Sequence, residues 1–279
     1  MKIRTRMSLW LALPALALSF GAITFATVKI FRHPAIGGTV QNSSKDAQSK
    51  RNGYVRRNLL SPRLVQNLTA LGNRLESPGK ERLILMGNLR LAGEKKREFA
   101  AFLEFPDKLR LSFGGPKERV LIFDGQQTKP VLTAADDLDL IETLVYDSAE
   151  HFFAAQMQGN ATRFLGSRFR TDDGANPDYS GPYFDVYKIA DQIKASDQDR
   201  PAKLYYFNSD TFLLERVTYV INRGDAEISV ETRLSDWRAT DGQQVPRRIE
   251  RFENGKAVFV LTLWSVAVAH QADDGMFVQ

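Results

Sequence analysis

Cysteine is absent from all 279 residues. That excludes a disulfide framework, a thiolate metal site and a cysteine nucleophile, together with the lipid-modified cysteine that tethers bacterial lipoproteins. Histidine is nearly as scarce: His33, His151 and His270 lie far apart, without metal-ligand spacing. The chain has no G-x-S-x-G elbow, no H-E-x-x-H and no glycine-rich phosphate loop between a strand and a helix. Gly114-Gly115-Pro116-Lys117 falls between two β patterns and reads as a hairpin turn. Asp136-Asp137-Leu138-Asp139 lacks the later glutamate of an EF-hand loop and opens a helix, where acids favour the positive dipole end. His151 reads as a helix-surface histidine, and the oxygen-rich stretch from Asp172 to Asp178 as a hairpin loop. The expectation is a domain with no catalytic residue, no cofactor and no metal.

The formal charge of +5 suggests a nucleic-acid binder until its location is considered. Residues 1–32 hold five bases and no acid, and residues 33–60 hold five more against Asp46 alone. The rest of the chain keeps 28 bases against 32 acids, a formal −4. A phosphate-neutralising surface needs clustered lysine and arginine, so the folded part is expected to bind no nucleic acid.

Met1–Arg6 is a short basic segment, followed by an apolar run from Ser8 to Val28. About 20 uncharged residues match the length of a membrane-spanning helix and exceed the usual apolar region of a signal peptide. Thr24-Phe25-Ala26 is a passable small-x-small cleavage site. Residues 1–32 are therefore expected to be a signal peptide or a membrane anchor, delivering the rest of the chain to the periplasm in either case. Residues 33–60, with Gly37-Gly38, Asn42-Ser43-Ser44 and scattered bases, cannot bury a core and read as a basic flexible tether.

The folded domain is expected over residues 61–279. It opens on a helix with Ser61 as N-cap, Pro62 at the first position and Leu64, Leu68, Leu71 and Leu75 on one face, ending at Ser77-Pro78-Gly79. Period-two alternation follows in Leu83–Leu91, Phe99–Phe105 and Leu109–Phe113, with another short strand over Arg119–Asp124. A helical interlude places Leu138, Ile141, Leu144 and Val145 on one face. Asp147 with Glu150 resembles a capping box for a piece carrying Phe152, Phe153 and Met157. Strands then resume to the end, with a strong hairpin signal at Asn254-Gly255. The last strand, Ala257–Val268, is apolar on both faces and should be central. About ten strands and two helical segments, without βαβ alternation, predict a mainly β (α+β) domain. Its large antiparallel sheet should curl as an open half-barrel with the helices as lids.

Several strands carry large apolar residues on both faces, as in Phe99 with Phe102, or Tyr205 and Phe207 with Tyr206. One face can pack under the helices. The other needs cover, from a ligand or from an ordinary two-sided core, and the pattern alone does not separate these.

Three local features point to a family. Gly87-Asn88-Leu89 leads through Arg97-Glu98-Phe99 to Phe105-Pro106-Asp107-Lys108-Leu109-Arg110; Asp124-Gly125 follows as a turn; and Asp210-Thr211-Phe212-Leu213-Leu214 leads through Trp237, Gly242 and Val245-Pro246 to Ile249. With the order of elements over residues 61–268, these features make the chain resemble the outer-membrane lipoprotein carrier and sorting (LolA-like) family. The resemblance implies an open half-barrel with helical lids that shields the acyl chains of lipoproteins in transit. The long leader and basic tether depart from the freely soluble carrier, and no functional residue of the family carries over.

The function expected is a non-catalytic periplasmic binding or carrier domain for a lipid or for lipoprotein acyl chains, held to the membrane through its N-terminal segment. Leu89, Phe99, Leu103, Leu109, Leu111 and Phe113 are candidates to line the cavity, with Phe152, Phe153 and Met157 on the lid. The alternatives are a membrane-anchored module binding an envelope protein without lipid, and a hydrolase using His151 or Asp124.

Overall fold

The computed structural model describes residues 60–72, 82–105, 107–114, 119–130, 135–157, 161–169, 183–190, 201–269 and 277. The expected leader, the tether and Leu75 lie outside the described residues. Among those described, no helix is long and apolar enough to cross a membrane.

Helix α1 (Pro62–Leu71) starts as its sequence dictates: the Ser61 hydroxyl accepts from the Leu64 amide at 3.4 Å, and Pro62 takes the first position. It ends at Leu71, earlier than the leucine spacing predicts. Gly72 has a φ of 86°, and a Cβ there would sit 2.5 Å from the Gly242 carbonyl oxygen. The helix stops where its end meets the backbone of a hairpin turn in the C-terminal half.

Twelve strands follow in one antiparallel sheet. They are β1 (Arg82–Leu91), β2 (Arg97–Glu104), β3 (Lys108–Phe113), β4 (Arg119–Phe123), β5 (Thr128–Lys129), β6 (Ala161–Phe169), β7 (Tyr183–Ala190), β8 (Lys203–Asn208), β9 (Leu214–Arg223), β10 (Ala226–Thr240), β11 (Gln243–Glu253) and β12 (Lys256–Ala269). Their spatial order is β5-β4-β3-β2-β1-β12-β11-β10-β9-β8-β7-β6. Two meanders thus join where β1 pairs with β12, which is central as its composition predicts. The sheet is open, with β5 and β6 as its edges. Between them run α2 (Ala135–Ile141), a π-helical turn (Glu142–Tyr146) and α3 (Ala149–Met157). This connection links one edge of the sheet to the other, and its side chains pack into both apolar clusters on the sheet's inner face.

Sequence reading passed over two strands, β5 and β6. Both are edge strands, where one side of the ladder is unpaired and alternation is weakly enforced. β6 is further broken by a register shift between Phe164 and Gly166. The strand that the sequence pattern suggests over Phe212–Ile221 begins two residues later. Phe212 has a φ of 60°, and the Asn208 carboxamide oxygen accepts from the Asp210 and Thr211 amides, so the turn extends to Leu213 and β9 begins at Leu214.

Cross-strand pairing lines apolar side chains into rows on the inner face. Leu83, Leu103, Leu109 and Phe123 make one row, and Leu85, Ala101, Leu111 and Leu121 the next. A third runs Leu89, Leu261, Ile249, Leu234. Two buried clusters result. One lies beneath α2 and the π turn on β1–β4, β11 and β12; the other lies beneath α1 and α3 on β7–β10.

Gly87 occupies an inward position opposite Phe99, beside the irregularity where Met86 pairs with Ser265 and Gly87 with Leu263. A Cβ on Gly87 would lie 2.4 Å from the Thr262 carbonyl oxygen and 3.0 Å from the Phe99 ring. The backbone oxygen cannot yield without loss of ladder geometry. Gly87→Ala is therefore expected to destabilise the domain by about 1–3 kcal/mol through overpacking, measured as a lower midpoint in urea denaturation.

Candidate functional site

The connection across the inner face begins with a helix whose acids find partners in the sheet. Asp139 on α2 accepts from Arg251 at 2.9 Å and from Arg223 at 3.3 Å. The chain then widens into the π turn, closed by the Asp147 amide bonding to the Glu142 carbonyl at 2.9 Å. The widened turn shifts the buried face. Leu140, Ile141, Leu144 and Val145 are buried, whereas Leu138, expected on the same face, is 52% exposed.

Asp147, expected as a helix cap, has another task. Its carboxylate is fully buried and accepts from Lys203 at 2.7 Å, Thr232 at 2.6 Å and Tyr219 at 3.2 Å. The cap of α3 is Ser148, whose hydroxyl accepts from the His151 amide at 3.1 Å. Lys203, itself only 1% exposed, also bonds Glu142. Arg251, equally buried, donates to the Tyr219 hydroxyl at 2.8 Å and to Glu253 at 3.2 Å. Tyr205 donates to the Tyr146 carbonyl at 3.1 Å. Acids of the helical connection thus meet bases and hydroxyls of β8–β11 in one buried network.

The electrostatics follow from this pairing. Burial pulls the Lys203 ammonium down, but Asp147 and Glu142 outweigh it and hold its pKa above the usual 10.5. Burial, reinforced by the Asp147 charge, pushes the Tyr219 phenol up from 10.0.

α3 is buried on all sides, with Ala149, Phe152, Phe153, Ala154 and Ala155 joined by the buried polar residues Glu150 and His151. Phe152 stacks on Tyr187, Tyr205 and Phe207 with ring centroids 5.0–5.5 Å apart. His151 is buried rather than on the helix surface, its ring edge-on to Tyr146 at 5.0 Å. The Asp124 carboxylate caps its own turn through the Gln126 and Gln127 amides. A Cβ on Gly125 would come 2.6 Å from the Asp107 carboxylate, so Asp107 packs against the Asp124-Gly125 turn.

The structure places Leu89, Phe99, Leu103, Leu109, Leu111 and Phe113 on one inward face, all in the first cluster. Phe152 and Phe153 belong to the second cluster, and the Met157 side chain lies outside the described residues. Only Leu103 of these borders the cavity left between helix and sheet. That cavity holds about 40 Å³ of space and touches Leu85, Leu144, Trp237, Ile249 and Leu263. A larger groove of about 860 Å³ lies beside it, reached by Leu213, Arg216, Arg233 and Glu250. Leu234 and Trp237 line both.

Sequence reasoning missed the ionic residues. A signal was present: Lys203 is in phase with Tyr205 and Phe207, and Arg251 with Val245 and Ile249, so each puts a charge where alternation calls for an apolar side chain.

Lys203→Met leaves Asp147 and Glu142 without their ammonium and is expected to cost about 3–5 kcal/mol in urea denaturation, part of it recovered in Lys203→Met with Asp147→Leu. Both raised pKa values have the same sign of linkage. Their contribution is complete below about pH 10, where Tyr219 and Lys203 are still protonated in the unfolded chain, and is lost as pH rises through the higher folded values. Circular dichroism across an alkaline titration should show stability flat to about pH 10 and falling above it.

No family model matches the chain, and no curated protein matches it in sequence. Among solved structures it is similar to a LolA superfamily protein from Nitrosomonas europaea, at 10% identity and a TM-score of 0.53, over 76% of this chain and 96% of that one. A domain assigned as an outer membrane lipoprotein-sorting protein, from Vibrio parahaemolyticus, aligns at 9% identity and a TM-score of 0.48, over 80% and 95% of the two chains. This chain has a LolA-like fold.

Proposed function

We propose that the domain is a non-catalytic periplasmic carrier or binding protein for a lipid or for the acyl chains of a lipoprotein, delivered across the membrane by residues 1–32. The observation that carries this reading is the inner face of the sheet: contiguous rows of leucine and phenylalanine beneath a helical connection linking the two open edges. Leu89, Phe99, Leu103, Leu109, Leu111 and Phe113 supply acyl contacts from the strands, and Phe152, Phe153 and Met157 supply them from the helix.

This conformation is the closed one. Sites for small molecules occupy about 300–1,000 Å³, whereas the cavity under the helices holds about 40 Å³, room for little more than one water. An acyl chain therefore takes the place of helix side chains, and binding requires the connection to lift from the sheet. The ionic network at Asp147 sets the cost of lifting it, because Lys203 and Arg251 on the sheet would be left buried under the acyl chain without their carboxylate partners.

The test is native purification of the full chain from the envelope without detergent, followed by mass spectrometry of organic extracts. A lipid or acylated peptide at near-stoichiometric amount is expected. An extract without lipid, from protein that melts unchanged after extraction and carries one stoichiometric protein partner, makes the domain an interaction module instead.

A further inference from the structure

Trp237 breaks the pattern of its own strand. In β10, Val230, Thr232 and Leu234 alternate inward with period two, which would send Trp237 to the opposite face from Leu234. Asp236 between them has a φ of 53°, a left-handed conformation that an L side chain rarely adopts. The ladder to β11 resumes at Trp237, opposite Pro246. That kink turns the indole inward, so that Leu234 and Trp237 both border the cavity under the helices. Strain of this kind persists only where the surrounding structure holds it, and it gathers at ligand clamps.

The same indole also borders the outer groove, and it stands between the two spaces. Its Nε1–H is buried and finds no acceptor among the described residues. A buried donor without a partner is unfavourable and rare in folded proteins. Around it the cavity is lined mostly by apolar side chains, Leu85, Leu144, Val245, Ile249 and Leu263 among them, and the polar side chains that also border it, Thr143, Ser148 and Glu150, leave the indole N–H without an acceptor.

Resting on the carrier reading above, we propose that Trp237 is the door between the outer groove and the apolar interior, and that its indole N–H donates to the carbonyl of an acyl ester or amide as the chain passes inward. The site is thereby selective for acylated groups over alkyl groups of equal length. The hydrocarbon takes the apolar rows, the carbonyl satisfies the orphaned donor, and the head group rests in the groove among Glu215, Arg216, Arg233 and Glu250.

The test uses the full chain and two competitors that differ only in the carbonyl, 1-dodecanoylglycerol and 1-dodecylglycerol, each displacing 11-(dansylamino)undecanoic acid. In the wild type the ester is expected to displace the probe at about tenfold lower concentration than the ether, the factor that one regained hydrogen bond supplies. Trp237→Phe keeps an aromatic ring and removes the donor. It should abolish this preference by weakening the ester alone, with the ether unchanged. A preference that survives Trp237→Phe, or ester and ether of equal potency in the wild type, overturns the proposal while leaving the carrier reading intact. Failure of the probe and of both competitors to bind overturns both.

A second measurement does not depend on Trp237→Phe folding. In a Trp10→Phe, Trp264→Phe background Trp237 is the sole tryptophan. A glycerol ester of 9,10-dibromostearic acid should quench most of its emission, whereas undiminished emission at saturating ester places the chain elsewhere and sinks the proposal.

Discussion

A buried carboxylate ties the helical connection to the sheet. Asp147 sits at the end of a π turn with no solvent contact, and its oxygens are spoken for by an ammonium and two hydroxyls from three strands. Without those donors the charge could not remain in the interior. With them, the middle of the helical connection is fixed to β8, β9 and β10. The widened turn follows from this, because it sets Asp147 opposite Lys203 and Thr232 while Leu144 and Val145 stay in the neighbouring apolar cluster. π turns cost hydrogen-bond geometry and recur at functional sites for that reason.

The closure is specific rather than merely adhesive. Apolar packing alone would let the connection slide over rows of leucine, since burial is non-directional. The network gives it one register: Asp139 against Arg251 and Arg223, Glu142 and Asp147 against Lys203, and the Tyr146 carbonyl against Tyr205. Beside the network lie the two apolar clusters, which meet at Ile249 and Leu234 and share Phe105 as a contact. Trp237 lies at the edge of this interior, where the outer groove and the cavity share a wall.

Much of the fold was legible beforehand. Leu83–Leu91, Leu109–Phe113 and Ala257–Val268 alternate or saturate in ways that only a sheet accommodates, and Asn254-Gly255 is a two-residue hairpin in which both residues have positive φ, 47° and 75°. Ser61 and Pro62 gave the start of α1 because a cap is a local matter between a hydroxyl and an amide two or three residues away. The end of α1 was not legible, since Gly242 lies far along the chain and only the folded hairpin brings it to Gly72. Leu138 misled for a similar reason. Its spacing to Ile141 and Val145 assumes a regular α-helix, and the π turn that breaks the period is imposed by the sheet beneath it.

The sequence by itself determined the alternation of the strands, the apolar inner face, the helix cap and the tight hairpins. Each of these is decided within a few residues by sterics, periodicity or a short-range hydrogen bond. Tertiary structure alone decided the order of twelve strands and the role of Asp147, which reads locally as a cap and folds into a buried ion partner. It also decided the orientation of Trp237, which alternation would place on the other face. Those outcomes depend on groups 50 or more residues apart, such as Asp147 with Lys203 and Thr232, and no local rule connects them. They depend as well on a backbone kink at Asp236 that no period-two pattern announces.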